Sequence, residues 1–251
     1  MSRPAPRLFV DAALTEAARL PAAREHWTYL TSVLRLGDGD EVTLFNGVDG
    51  EWSARIAIES RKSGALVVGA RLRPQSGGAD LHLLFAPLKH ARLDYMAQKA
   101  VEMGVSALRP TLTRRTQVAR VNLDRLRANA IEAAEQCGVL RLPAILPEAN
   151  LAGALAALEP ERLLVFCDEE ADQADPCAAL DATDRAGGPV AVLIGPEGGF
   201  SPEERALLRA RANTARLSLG PRILRADTAA VAALALVQAR LGDWPREPES
   251  R

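Results

Sequence analysis

An apolar strand that runs straight into a glycine-rich turn and then a capped helix constrains this chain more than any other feature. The segment is Leu193-Ile194-Gly195-Pro196-Glu197-Gly198-Gly199-Phe200-Ser201. Ser201 and Glu204 have the spacing of a capping box, with Pro202 at the first helical position. The glycines let backbone approach a ligand closely or take φ > 0. Such turns, at the carboxyl ends of parallel strands, are where α/β sheets bind ligands. No Gly-Lys-Ser/Thr follows, and the spacing is not G-x-G-x-x-G, so neither a P-loop nor a dinucleotide fingerprint is present. A tight connection alone would explain one or two glycines, not Gly-Pro-Glu-Gly-Gly.

A second segment follows the same logic. Leu217-Ser218-Leu219-Gly220-Pro221-Arg222-Ile223-Leu224-Arg225-Ala226-Asp227-Thr228 passes from a short strand through a Gly-Pro turn and a loop with two arginines. It ends in an Ala-rich helix over 227–241, capped by Asp227 or Thr228. Ala229, Ala230, Ala232, Ala233 and Ala235 suit that helix to close packing on a neighbour. Upstream, strands are expected at Leu81–Ala86, Ser106–Pro110, Arg162–Phe166 and Pro189–Ile194. Helices are expected at Ala91–Met103, from a cap at Asn122 to Gln136, and at Pro202–Ala212. This alternation implies a parallel sheet flanked by helices. The apolar runs at 162–166 and 189–194 suit strands buried on both faces.

Residues 1–73 read differently. Glu41–Phe45, Ser53–Ile58 and Ala65–Leu72 are short β-branched segments, with turns at Asp38-Gly39-Asp40 and Asn46-Gly47. Pro74-Gln75-Ser76-Gly77-Gly78 then interrupts the pattern as a linker would. The expected organisation is a β-rich domain over 1–73, a linker over 74–80, an α/β domain over 81–243 and a tail over 244–251.

The net charge of −1, from 31 basic and 32 acidic side chains, taken alone argues against a nucleic-acid partner. Counted locally it says the opposite. Residues 82–127 carry +6, whereas residues 128–221 carry −8. The first block, with Thr113-Arg114-Arg115-Thr116 just after a strand, is a candidate footprint for phosphate. Arginine is the default cation, 28 against 3 lysines, which singles out Lys89 and Lys99. Three scattered cysteines, Cys137, Cys167 and Cys177, suit reduced thiols in a cytoplasmic protein rather than a disulfide framework. The N-terminus lacks a continuous apolar signal core, and no stretch approaches the ~18 apolar residues of a membrane span. His26, His82 and His90 lack ligand spacing, so no metal is expected.

Taken together, Gly195-Pro196-Glu197-Gly198-Gly199-Phe200-Ser201 and Leu219-Gly220-x-Arg222-Ile223-Leu224-Arg225-x-Asp227-Thr228-Ala229 resemble the C-terminal signature of the SPOUT RNA methyltransferases. More narrowly, the chain resembles the RsmE family of 16S rRNA uridine-N3 methyltransferases. Further matches are Arg7-x-Phe9-Val10, His26, Val33-Leu34-Arg35-Leu36, Gly39-Asp40, Lys89, Asp94 and Gln98-Lys99-Ala100. Thr113-Arg114-Arg115 and Glu132-Ala133-Ala134-Glu135-Gln136 complete a likeness in order along nearly the whole chain. Three departures stand out. Asp227 sits where Glu is usual, Cys137-Gly138-Val139 replaces Ser-Gly-Arg, and Thr116 replaces Ser.

The resemblance implies a small PUA-like β-barrel at the N-terminus and a SPOUT-type knotted parallel sheet with flanking helices at the C-terminus. It also implies a homodimer, an S-adenosylmethionine pocket and a substrate uridine in the decoding region of 16S rRNA, within the small ribosomal subunit. On this chain the donor would be held by Ile194, Gly195, Pro196, Glu197, Gly198, Gly199, Leu217, Leu219, Gly220, Ile223, Leu224 and Arg225. Arg222, Arg225 and Arg114 are candidates to stabilise the N3 anion, as donors do in an oxyanion hole. Glu197 or Asp227 could take the proton, with water as a third possibility. Arg7, Arg35, Lys89, Lys99, Arg114 and Arg115 are the candidate RNA contacts. Two competing readings are a noncatalytic RNA-binding assembly factor and a knotted tRNA ribose 2′-O-methyltransferase.

Overall fold

Alternation of apolar side chains decides which faces of the N-terminal strands are buried. In the computed structural model, which describes residues 5–118, 120–172 and 175–244 and only the backbone of His90, five strands form a mixed sheet. They are β1 (Arg7–Phe9), β2 (Arg19–Pro21), β3 (Glu41–Phe45), β4 (Glu51–Ser60) and β5 (Ser63–Arg73), in the order β1-β3-β4-β5-β2. A short helix α1 (Arg24–Thr28), continued by a π-turn over Tyr29–Val33, supplies Trp27 and Leu30 to the core. Leu8, Val42, Leu44, Ile56, Leu66 and Val68 point to the same side. The expected strand Glu41–Phe45 thus recurs unchanged and the other two recur with longer ends, and β1, β2 and α1 add to them. Three-residue strands carry too little periodicity to be read from sequence.

The remaining elements are β6 (Leu81–Phe85), α2 (His90–Glu102), β7 (Ala107–Leu112), α3 (Leu123–Cys137), β8 (Ala144–Ile145), β9 (Ala149–Asn150), α4 (Leu151–Ala156), β10 (Leu163–Cys167), α5 (Pro176–Asp181), β11 (Val190–Ile194), α6 (Pro202–Ala210), β12 (Thr214–Leu217) and α7 (Ala226–Arg240). The strands form a parallel sheet in the order β12-β10-β11-β6-β7-β8, with β9 pairing β7. Along β10 and β11 successive side chains enter opposite cores. Val165, Val192 and Ile194 face one, Phe166, Ala191 and Leu193 the other. Both faces are covered, as unbroken apolar runs require.

The chain divides into two units, Met1–Gly77 with Ala134–Leu142, and Gly78–Ala133 with Pro143–Arg251. The expected domain limits did not include the segment 134–142 in the first unit. Its place there has a physical reason. Arg7 donates to the carbonyls of Ala134, Glu135 and Val139, and the Phe9 N–H donates to Glu135. Arg73 donates to the Gly138 carbonyl. These bonds use backbone oxygens at 138 and 139, so the side chain at Val139 is not what holds the turn. Of the expected tail, only Trp244 lies within the described residues.

Two helix starts differ in outcome. Asn122 accepts from the Arg125 N–H and so caps α3. The last helix instead begins at Ala226, with Arg225 at the cap position and no side-chain cap, which corrects the expected cap at Asp227 or Thr228. Ala226 is buried in the core, so packing sets this boundary one residue earlier. The last helix packs on α2 of the same chain, and its small side chains Ala226, Ala230 and Ala233 are buried in the core. No helix among the described residues is long and apolar enough to cross a membrane.

Candidate active site

The carboxyl ends of β10, β11 and β12 meet at one cleft of about 280 Å³. The β11–α6 turn forms one wall through Ile194, Gly195, Pro196, Glu197 and Gly199. The loop after β12 forms another through Leu217, Leu219, Gly220, Arg222, Ile223 and Leu224. Gly195 has no room for a side chain, since a Cβ there would lie 2.9 Å from the buried Phe200 ring. Gly220 sits at φ +91°, where an L side chain is strained.

Backbone chemistry suits this cleft to a nucleoside-like ligand. Among the described residues, the N–H groups of Leu219, Gly220, Arg222, Ile223 and Leu224 make no hydrogen bond within the protein, nor do those of Glu197 and Gly198. These residues are exposed or partly exposed, so their N–H groups are open to a ligand in place of water. Ile223 is 96% exposed at the lip, an apolar side chain with nothing over it.

The third wall escaped the sequence reading. Cys167, Asp168 and Glu169 follow β10 and line the cleft together with Arg205. The rule that ligands sit at the carboxyl ends of parallel strands applied to β10 as much as to β11. Asp168 is fully buried and receives Arg205 at 2.5 Å and Arg216 at 2.9 Å. Burial, with Asp168 beside it, pushes the Cys167 thiol up to about 12, so it is no thiolate nucleophile near neutrality.

The capping box does two jobs. The Ser201 hydroxyl accepts from the Glu204 N–H, and one Glu204 oxygen accepts from the Ser201 N–H. The other Glu204 oxygen accepts the Arg114 N–H at 2.7 Å. The N-terminus of α6 thereby pins the loop that carries Arg114 and Arg115. Within that loop, Thr116 Oγ1 accepts the Thr113 N–H, so threonine supplies the hydroxyl that serine would. Arg114 pairs with Glu203 at 3.0 Å, and Arg115 donates to the Gly198 carbonyl at 2.5 Å. The Ser201 hydroxyl and Arg114 hold the Glu203 carboxyl below its ordinary value.

Beyond Pro196 and Glu197 lies a second cleft of about 340 Å³, lined also by Lys89, Arg92, Arg115 and Gly198. The structure therefore brings together most of the expected cofactor residues, but places Gly198 in this second cleft and Arg225 at neither. Of the expected catalytic group, Arg222 and Glu197 line the first cleft. Asp227 does not, and its Oδ1 accepts the Thr228 N–H on the first turn of α7.

Among the expected RNA contacts, Lys89 and Arg115 are exposed at the second cleft. Arg35 is exposed elsewhere at φ +59°, in the left-handed region. Lys99 pairs with Glu102 at 2.8 Å and lies over the Tyr95 ring. Arg7 is engaged inside its unit, in a 2.6 Å pair with Glu51, in the carbonyl contacts described above and over the Phe45 ring. Of the histidines, His26 and His82 are both half-buried and held below the ordinary imidazole value by that burial, and no metal-ligating cluster of His, Cys, Asp and Glu occurs among the described residues. The His90 side chain lies outside what is described.

A family model described as an RNA methyltransferase domain matches residues 75–238, and one described as an RNA methyltransferase PUA domain matches residues 28–68. The ribosomal RNA small subunit methyltransferase E of Rickettsia conorii is 30% identical over 92% of this chain and 94% of its own. The chain belongs to the ribosomal RNA small subunit methyltransferase E family. A methyltransferase of Legionella pneumophila, solved with its cofactor S-adenosylmethionine bound, is 29% identical, with a TM-score of 0.85 over 96% of this chain and all of that one. The family's enzyme from Neisseria gonorrhoeae, also bound to S-adenosylmethionine, is 25% identical with a TM-score of 0.85 over 96% of this chain and 99% of its own. The N-terminal mixed sheet is thus the PUA part and the parallel sheet the methyltransferase part.

Proposed function

We propose that this chain methylates N3 of a uridine in the decoding region of 16S rRNA, acting as a cytoplasmic homodimer on RNA within the small ribosomal subunit. The observation that carries it is the cleft at the ends of β10, β11 and β12, with unpaired backbone on its walls and a cationic cleft beside it. Its residues fit S-adenosylmethionine. The unpaired N–H and C=O groups of 219–224 can read the adenine edge, Ile223 can cover the ring, and Glu169 and Glu197 offer acceptors for hydroxyl or amino groups. Bound there, the donor would supply a sulfonium-activated methyl group for transfer to the uracil nitrogen.

What remains for the protein is positioning and a proton. Arg222 lines the donor cleft with no intramolecular partner among the described residues, which supports it as a donor to the uracil oxygens as charge develops. Arg225 and Asp227 fall outside both clefts, and Glu197 is held in a 2.5 Å pair with Arg92. Release of the N3 proton to solvent is therefore the simplest route. Lys89, Arg114, Arg115 and Arg35 are the RNA contacts with exposed charge, Arg114 being paired with Glu203; Arg7 belongs to the scaffold. The homodimer and the knot rest on the family.

The deciding experiment incubates the purified protein with S-adenosylmethionine and 16S rRNA, followed by nucleoside mass spectrometry. N3-methyluridine is expected. A 2′-O-methyl product, or no methylated nucleoside, would overturn the assignment. Light scattering at micromolar concentration tests the dimer, with a monomer mass counting against it.

A further inference from the structure

The second cleft has properties the donor cleft lacks. It gathers Lys89, Arg92 and Arg115 around one opening, and its wall at Pro196 and Glu197 is shared with the donor cleft. The start of α2 opens here with no side-chain cap, so its positive dipole end adds to the three cations, although the Arg92 N–H itself turns back to the Lys89 carbonyl. Two of the cations are already aimed. Arg115 is fixed on the Gly198 carbonyl at 2.5 Å, and Arg92 is fixed on Glu197, also at 2.5 Å. Arg92 therefore stands at the partition between the place for the donor and the place for an anion.

We infer that this cleft is the acceptor site, taking the target uridine with a flanking phosphate, and that Arg92 supplies the positive charge that stabilises the uracil N3 anion. This rests on the proposed methyl transfer and names its second binding site. Lys89, Arg115 and the α2 N-terminus face the phosphate, as backbone donors and flexible cations do. Glu197 is a positioning residue that holds the guanidinium at the shared wall. In the transfer the N3 proton leaves to solvent, the N3 pair forms the new bond to the methyl carbon, and the old C–S pair stays with sulfur. Arg92 gains nothing covalently; it lowers the cost of the anion, where removal of one such donor typically slows reaction about 100-fold.

The test uses the full-length protein, a decoding-region rRNA fragment and S-adenosylmethionine. Arg92→Ala should lower kcat about 100-fold, leave the calorimetric donor affinity within about twofold, and displace the plateau of the pH–rate profile upward. Arg92→Lys should recover part of the rate and of the profile. Glu197→Gln should lower kcat at saturating donor by a smaller factor than Arg92→Ala. The inference is overturned if Arg92→Ala raises only the KM for RNA, if it loses donor binding in step with rate, or if the pH profile stays put. Failure of the underlying methyltransferase reading looks different, because the unaltered protein would then bind no donor or leave N3 unmethylated, and the acceptor assignment would fall with it.

Discussion

Arginine plays opposite parts in the two units. In the first, Arg7 and Arg73 both meet Glu51 at 2.6 Å; Arg7 spends further donors on the carbonyls of Ala134, Glu135 and Val139, and Arg73 one on that of Gly138. Glu51 is nearly buried and Arg7 is stacked on Phe45, so that pair is closed off, while the Arg73 side chain is half exposed. In the second, Lys89, Arg92 and Arg115 stand round an open cleft, and each aimed arginine has a single fixed partner. The lesson concerns donors rather than charges. A guanidinium has five N–H groups, and what separates scaffold from site is how many of them the protein already occupies. Within the first unit's own numbers, Arg35 is the counterexample, exposed and carried on a left-handed backbone.

The largest effect expected from this contrast is on stability. Glu51→Ala leaves Arg7 shielded and without its carboxylate, which should cost about 3 kcal/mol in urea unfolding. Donor binding by the folded fraction should persist, because the cleft lies wholly in the other unit. A loss under about 0.5 kcal/mol would break the claim that the cluster is structural.

Next in size is Gly195→Ala, which drives a methyl to 2.9 Å from the Phe200 ring. That ring is buried and packs edge-on against Phe166, so it has little freedom to yield. Overpacking of about 1–3 kcal/mol is expected, with weaker donor binding by calorimetry. Unchanged affinity would show that this glycine does not shape the cleft.

Acidification probes the same closed cluster. Burial tends to raise the Glu51 carboxyl, but hydrogen bonds from Arg73 and Arg7 outweigh it and hold the group below its ordinary value. A carboxyl lowered on folding contributes stability that is present above its unfolded value, about 4.3, and is lost as pH falls through the folded one. Thermal melts between about pH 6 and 3 should therefore fall more steeply for the unaltered protein than for Glu51→Gln. Parallel curves would show that Glu51 does not carry this dependence.

The smallest effect falls on the open side. Arg35→Gly should relieve left-handed strain and raise stability by up to about 1 kcal/mol. If Arg35 meets a phosphate, the same change reduces the salt-dependence slope of RNA binding by about 0.7–0.9. An unaltered slope would remove Arg35 from the RNA contacts.

Much of this was legible along the chain because the signals are local. The strand Val190–Ile194, the Gly-rich turn and the Ser201–Glu204 capping box lie within fifteen residues, and each reports its own conformation. The basic block was readable for the same reason. Less legible were β1 and β2, too short to show a period, and Asp168–Glu169, polar residues beside a strand that signal nothing until β10 is placed between β11 and β12. Glu204 is the intermediate case: its cap on Ser201 followed from spacing, whereas its hold on the Arg114 N–H, ninety positions away, did not.

The sequence by itself determined the class of fold, the two glycine loops and the segment that carries the basic charge, since periodicity, caps and composition act over a few residues, and its motifs carried the family resemblance. Only the tertiary structure decided which arginines are occupied and which are available, that Arg7 and Arg73 close on Glu51, and that Arg92 meets Glu197 across 105 positions. Those outcomes depend on which parallel strands are neighbours, and hydrogen-bonded neighbours in a sheet need not be neighbours in the chain.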